Sequence, residues 1–129
     1  MELDQPLTLK EVQLAVKNLS KGKAAGIDGI MNEVFMFGGD ATMDKLHLLF
    51  DRVFQGEVFP TQWSQGLIYP LFKGEPAEYK FDPNKYRGIT LLSVVGKIFT
   101  AVLNRRLTDF VESHGIQSCF RSTVDQIYI

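Results

Sequence analysis

Cysteine is almost absent. Cys119 is the one thiol in 129 residues, which excludes an internal disulfide framework and a cysteine-rich zinc site and fits a reducing compartment. Nothing approaches the ~18 consecutive apolar residues of a membrane span. The N-terminus, Met1-Glu2-Leu3-Asp4-Gln5-Pro6, lacks the basic start and apolar middle of a signal peptide. These absences point to an intracellular protein, nuclear or cytoplasmic, neither secreted nor bound to a membrane. An excess of either charge is also missing. The net charge is −1, so any contact with nucleic acid must come from a local patch. The eight aspartates include no adjacent pair, whereas two-metal phosphoryl transfer needs carboxylates clustered around ions ~3.5–4 Å apart. His47 and His114 have no partner at ligand spacing, so no metal ligand and no catalytic residue is expected in the chain.

With 45% hydrophobic and 22% charged residues the chain reads as globular, and its length corresponds to about one domain. Its charge is unevenly divided. Residues 28–60 hold six acidic groups against Lys45 and Arg52, a net of −4. Residues 71–106 hold Lys73, Lys80, Lys85, Arg87, Lys97, Arg105 and Arg106 against Glu75, Glu78 and Asp82, a net of +4. A basic, aromatic-containing stretch suits a nucleic-acid face, and a solvated surface equally well.

Periodicity predicts helices around one hairpin. Thr8-Leu9-Lys10-Glu11 is a capping-box pattern, and Leu9, Val12, Val16 and Leu19 follow at helical spacing until Ser20. Asp28 is placed to N-cap a short helix through Phe37, closed by Gly38-Gly39. A third helix fits residues 42–55, with Gly56 as terminator, and a fourth fits 94–112, ended by Gly115. Strands are predicted at about 66–73 and 86–91, and Pro70 argues for an edge position. Ser122-Thr123-Val124-Asp125 opens a helix with barely one turn before Ile129, and the simplest reading is a chain cut from something longer. The expected core comprises Val12, Val16, Leu46, Leu49, Phe50, Trp63, Ile68, Leu71, Ile89, Ile98, Val102 and Leu107, with apolar surface left at residues 127–129 and on one face of helix 94–112.

A hairpin of this kind sets Lys73 and Arg87 on adjacent strands. A point-charge ammonium beside a forked guanidinium suits a polyphosphate, although ordinary surface charge flanking a hairpin is the favoured reading of the residues alone. Trp63 reads as a packing anchor beneath the hairpin. Lys21 and Lys23 fit either a phosphate contact or a solvated loop.

Seven blocks stand in order: Lys23-Ala24-Ala25-Gly26-Ile27-Asp28-Gly29-Ile30, Pro60-x-x-Trp63, Pro70-Leu71-Phe72-Lys73, Tyr86-Arg87-Gly88-Ile89-Thr90-Leu91-Leu92-Ser93, Gly96-Lys97-Ile98, Arg105-Arg106-Leu107 and Gln117-x-x-Phe120-Arg121. From about Thr8 to Ile129 the chain thereby resembles the reverse transcriptase of LINE-type (non-LTR) retrotransposons. The resemblance implies an α+β, mostly helical fold: the fingers subdomain of a right-hand polymerase over about 8–113, with an antiparallel β-hairpin of two or three strands carried by four helices. The start of an incomplete palm would follow at about 114–129. It implies that Lys73 and Arg87 bind the triphosphate of an incoming dNTP. It also implies that Lys23, Gln117 and Arg121 lie toward an RNA or DNA template-primer, with Arg121 equally able to cap a helix or pair with Asp125. The complete family enzyme, an RNA-directed DNA polymerase and hence a nucleotidyltransferase, uses Mg held by aspartates that would lie beyond Ile129. The chain alone is therefore expected to be inactive. Cys119 stands where the family prefers glycine, and Gly88 where proline is common. Three readings follow: a truncated reverse-transcriptase fragment, a non-catalytic nucleic-acid-binding module, or one half of a split polymerase completed in cis or in trans.

Overall fold

The computed structural model describes residues 3–74 and 80–115. The capping box forms as its sequence predicts. The Thr8 hydroxyl accepts from the Glu11 amide and the Glu11 carboxylate accepts from the Thr8 amide, opening α1, Leu9–Lys17. Val12 and Val16 form its buried stripe. Helix α2 spans Asn32–Phe37 and α3 spans Gly39–Phe54. Gly39, at φ 73°, sits at the joint between them, a backbone angle that favours glycine. A 3-10 turn, Thr61–Ser64, leads into β1, Leu67–Phe72, which pairs antiparallel with β2, Tyr86–Leu91. Helix α4, Val94–Ser113, completes the described chain.

The core lies between α1, α3 and α4. Val12, Phe50, Val94, Ile98 and Val102 are buried there, joined by Leu7, Phe35, Met43, Leu46 and Phe99, with Leu49 and Trp63 packed at its margin. The α+β, mostly helical class holds, with four α-helices and a two-stranded sheet among the described residues. Among the described residues both strands are edges, which accommodates Pro70.

Several expectations change. Ile68, Leu71 and Leu107 are exposed, not core. The reason for the first two is architectural: no helix or third strand among the described residues covers either face of the hairpin. Most of the exposed apolar surface lies on this hairpin and around Ile27, Met31, Val34 and Phe37, with Leu107 the exposed position on α4. Asp28 does not cap α2, whose N-cap is Met31 and carries no side-chain cap. Its carboxylate instead accepts from the Ile30 amide at 3.1 Å and from the buried Ser93 hydroxyl at 2.7 Å, directly before α4. Gly26 makes this closure possible, since a Cβ there would lie 2.5 Å from the Leu92 carbonyl carbon and oxygen. Trp63 does pack, but against Phe50 and Phe99 of the helical core and across Gly96, not beneath the hairpin. The helix expected from Ser122 lies outside the described residues, as does all but 114–115 of the palm start expected at about 114–129.

Candidate nucleic-acid interface

The hairpin register decides which side chains meet. Leu71 opposes Arg87 and Phe72 opposes Tyr86. The Lys73 amide donates to the Lys85 carbonyl at 2.8 Å, adding one rung past the end of β1. Because side chains alternate across a strand, Leu71, Lys73 and Arg87 share one face and Phe72 and Tyr86 the other. On that second face the two rings tilt together with centroids 5.3 Å apart. The alternation of the antiparallel ladder also puts Pro70, opposite Gly88, in a non-hydrogen-bonded pair, so its missing N–H falls on the open edge and costs the hairpin nothing.

A hollow of about 260 Å³, lined by Leu71, Phe72, Lys73 and Arg87, opens at the end of this ladder. The Lys73 ammonium reaches the Asn84 carbonyl at 3.5 Å, the limit of a hydrogen bond. Arg87 is exposed, and its guanidinium has no hydrogen-bond or ion-pair partner among the described residues. A planar fork of five donors is thus held next to a second cation and left available to an anion. The turn feeding β2 is itself ordered. Asp82 accepts from the Asn84 amide at 3.0 Å to start a 3-10 turn, Pro83–Lys85, and the Tyr86 hydroxyl donates to the Lys80 carbonyl at 2.7 Å.

Lys73 and Arg87 are therefore brought together, and Lys23 is not brought to them. The Lys23 loop meets the rest of the fold through Gly26 at Leu92 and Ser93, past the Leu67–Leu91 end of the hairpin. Six residues at ~3.4 Å each separate that end from Lys73. Gln117 and Arg121 lie outside the described residues. Lys21 instead covers the Phe37 ring, 5.1 Å from its centroid.

Arg106 needs a different role from the one its sequence context suggested. It is not part of a basic surface but is buried, its side chain 6% exposed. Its guanidinium donates to both Glu11 carboxylate oxygens and to the Gln5 and Pro6 carbonyls, and it lies over the Phe54 ring. The Arg106 hydrogen bond holds the Glu11 carboxyl at about 2 against burial, which raises it. The capping box gave Glu11 a local partner, but nothing in the spacing identified a second one 95 residues away. His47 is likewise occupied, with Nε2 donating to the Leu7 carbonyl at 2.6 Å, and His114 Nδ1 is engaged with the Phe110 carbonyl.

Among the described residues no three His, Cys, Asp or Glu side chains are grouped so as to hold a metal ion. The hairpin hollow presents cations, not carboxylates, so the residues described do not fit a magnesium site. No helix among them is long and apolar enough to cross a membrane.

No protein-family model matches the chain. Individual relatives do. The chain is 30% identical over 96% of its length to an RNA-directed DNA polymerase from transposon BS of Drosophila melanogaster. It is 32% identical over 84% to a 115 kDa protein in the type-1 retrotransposable element R1DM of the same fly. To an RNA-directed DNA polymerase from transposon X-element, also of Drosophila melanogaster, it is 29% identical over 99%. In each case the chain spans a small part of the relative, 14%, 10% and 15% of its length respectively. Such agreement across nearly the whole chain, with relatives from three separate elements, places it by descent: the chain is homologous to part of the RNA-directed DNA polymerases of LINE-type (non-LTR) retrotransposons.

Proposed function

We propose that this chain forms the nucleotide- and template-gripping fingers of an RNA-directed DNA polymerase of a LINE-type retrotransposon. Lys73 and Arg87 hold the triphosphate of a dNTP, or the phosphates of a single strand, at the open end of the hairpin. The observation that carries this reading is the shared hollow of Lys73 and Arg87, with the Arg87 guanidinium unpartnered among the described residues. Lys23 would meet template-primer at the other end of the hairpin. Gln117 and Arg121 extend the same contact on the family pattern alone. The chain by itself does not polymerise, because its eight aspartates include no adjacent pair to hold two metals. A binding module without catalysis and one half of a split polymerase share this chemistry.

Two measurements test the reading. With primed RNA, deoxynucleotides and magnesium or manganese, the chain alone should give no primer extension, and template-dependent incorporation would overturn the claim of inactivity. A salt titration of labelled single strands tests the grip. Binding should weaken steeply with salt. The double variant Lys73→Ala/Arg87→Ala should bind more weakly, with a slope reduced by about 1.4, at ~0.7 for each phosphate no longer neutralised. dNTP affinity should be only on the order of millimolar, since no metal shields the phosphates. Equal binding by wild type and the double variant would remove Lys73 and Arg87 from the binding surface.

A further inference from the structure

Phe81 is 96% exposed, the most open of the large apolar residues described. An isolated exposed apolar residue is common enough, but this one is held out by its surroundings. The residue before it is fixed by the Tyr86 hydroxyl on the Lys80 carbonyl, 2.7 Å. The residue after it, Asp82, is fixed through its carboxylate by the Asn84 amide at 3.0 Å and the Asn84 side-chain nitrogen at 3.1 Å. With the backbone pinned on both sides, the ring has only its own rotamer freedom left to lose on binding.

Its neighbours are cationic. Lys80 precedes it, exposed and with no side-chain partner among the described residues. The Lys73 ammonium lies 3.5 Å from the Asn84 carbonyl, and even a fully extended chain puts Phe81 no more than ~11 Å from Asn84. Among the described residues one carboxylate intervenes, that of Asp82, and its Oδ1 already accepts twice from Asn84. An aromatic face beside cations that follow a backbone is the arrangement by which single strands are bound without regard to sequence. An apolar protein surface would gain little from the surrounding lysines.

We propose that Phe81 is a base-stacking platform for single-stranded nucleic acid whose phosphates lie at Lys73, Arg87 and Lys80. The proposal rests on reading the hairpin as a nucleic-acid interface, and adds the second half of the recognition: charge holds the backbone and the ring holds a base. Stacking depends on a π-face, so phenylalanine and tryptophan serve and leucine does not.

The test uses the full chain, a short fluorescein-labelled oligodeoxythymidylate and an abasic strand of the same length and charge. Phe81→Ala should weaken binding to oligodeoxythymidylate by about fivefold to hundredfold, leave the salt slope unchanged, and leave the abasic strand unaffected. Phe81→Leu should behave like Phe81→Ala. Phe81→Trp should restore affinity, and its added fluorescence should be quenched by oligodeoxythymidylate and not by the abasic strand. Circular dichroism should show all three variants folded, because the side chain touches solvent. Wild-type affinity in Phe81→Ala, restoration by Phe81→Leu, or equal losses on both strands would overturn the platform. If the Lys73→Ala/Arg87→Ala variant loses affinity in that case, the hairpin reading stands without it. If wild type binds neither strand at low salt, both fall together.

Discussion

The helical bundle and the hairpin treat the same residue type in opposite ways. Ile98 of α4 is 1% exposed, while Ile68 of β1 is 70% exposed. In the bundle, apolar side chains from α1, α3 and α4 bury one another and a charged clamp ties the N-terminal segment to α4. In the hairpin, order comes from a ladder of six residue pairs, one further rung, and a pinned turn, with no helix or further strand among the described residues over either face. Stability is therefore concentrated in one region and available chemistry in the other. Under the proposed reading a cation that grips phosphate must stay wet, and Arg87 is exposed with no ion-pair partner among the described residues.

The largest effect should come from placing a hydroxyl in the bundle. Ile98→Thr removes buried hydrocarbon and adds a buried polar group at a site without solvent, and should cost about 2–4 kcal/mol. Urea denaturation followed by circular dichroism measures it. A cost below ~1 kcal/mol would mean that the core is looser than its burial implies, against the usual penalty for such changes.

The clamp should come next. Arg106→Ala removes the guanidinium from two carbonyls and from the Glu11 carboxylate, which then keeps only its Thr8 donors. Because Glu11 keeps 20% of its side-chain surface exposed, the loss should be about 2–3 kcal/mol, below that of a fully buried pair. The pH dependence carries the sign. Held at about 2, well below its ordinary value of 4.5, the Glu11 carboxyl stabilises the fold above pH 4.5, and that contribution fades as pH falls toward 2. Glu11→Gln should therefore be less stable than wild type at neutral pH, and the gap should close between pH 4.5 and 2. A gap constant with pH would show that the clamp acts without its charge.

A smaller but local effect is expected where the two regions join. Gly26→Ala puts a Cβ 2.5 Å from the Leu92 carbonyl, so the loop must withdraw from the start of α4. The cost should be about 1–3 kcal/mol. It should come together with rupture of the Asp28–Ser93 hydrogen bond, visible as faster amide exchange at the first turn of α4.

These elements also show what a sequence reveals. Helices α1, α3 and α4 were legible because apolar residues recur at helical spacing and Thr8, Gly56 and Gly115 punctuate them. The placement of Lys73 and Arg87 on adjacent strands of one hairpin was legible too, since two apolar runs separated by a turn-rich segment read as a strand pair. Long-range choices were not. Asp28 looked like an N-cap by local chemistry, and only the packed fold offers it Ser93, 65 residues away. Arg106 looked like part of a basic run because charge counts do not register burial. Ile68, Leu71 and Ile89 read as core because they are apolar residues of a strand pair, but apolar character does not state that anything covers a face, and Ile68 and Leu71 are exposed while Ile89 is half-buried.

The hairpin should yield the smallest effect, and it is the most direct test of the contrast. Ile68→Thr keeps a β-branched side chain, so the strand preference of the backbone is retained. What changes is apolar surface that water already reaches over 70% of the residue. Ile68 faces the small Thr90 across the ladder, and Gly88, on the diagonal, offers it no side chain to pack against. The cost should stay within about 0.5 kcal/mol, far below that of Ile98→Thr in the same denaturation experiment. The identical substitution at two isoleucines cancels residue chemistry and leaves burial as the difference between them. If Ile68→Thr proved as costly as Ile98→Thr, the hairpin face would be covered in solution. Repeating the measurement over a range of protein concentrations would identify a second copy as the cover, since only then would the cost rise with concentration.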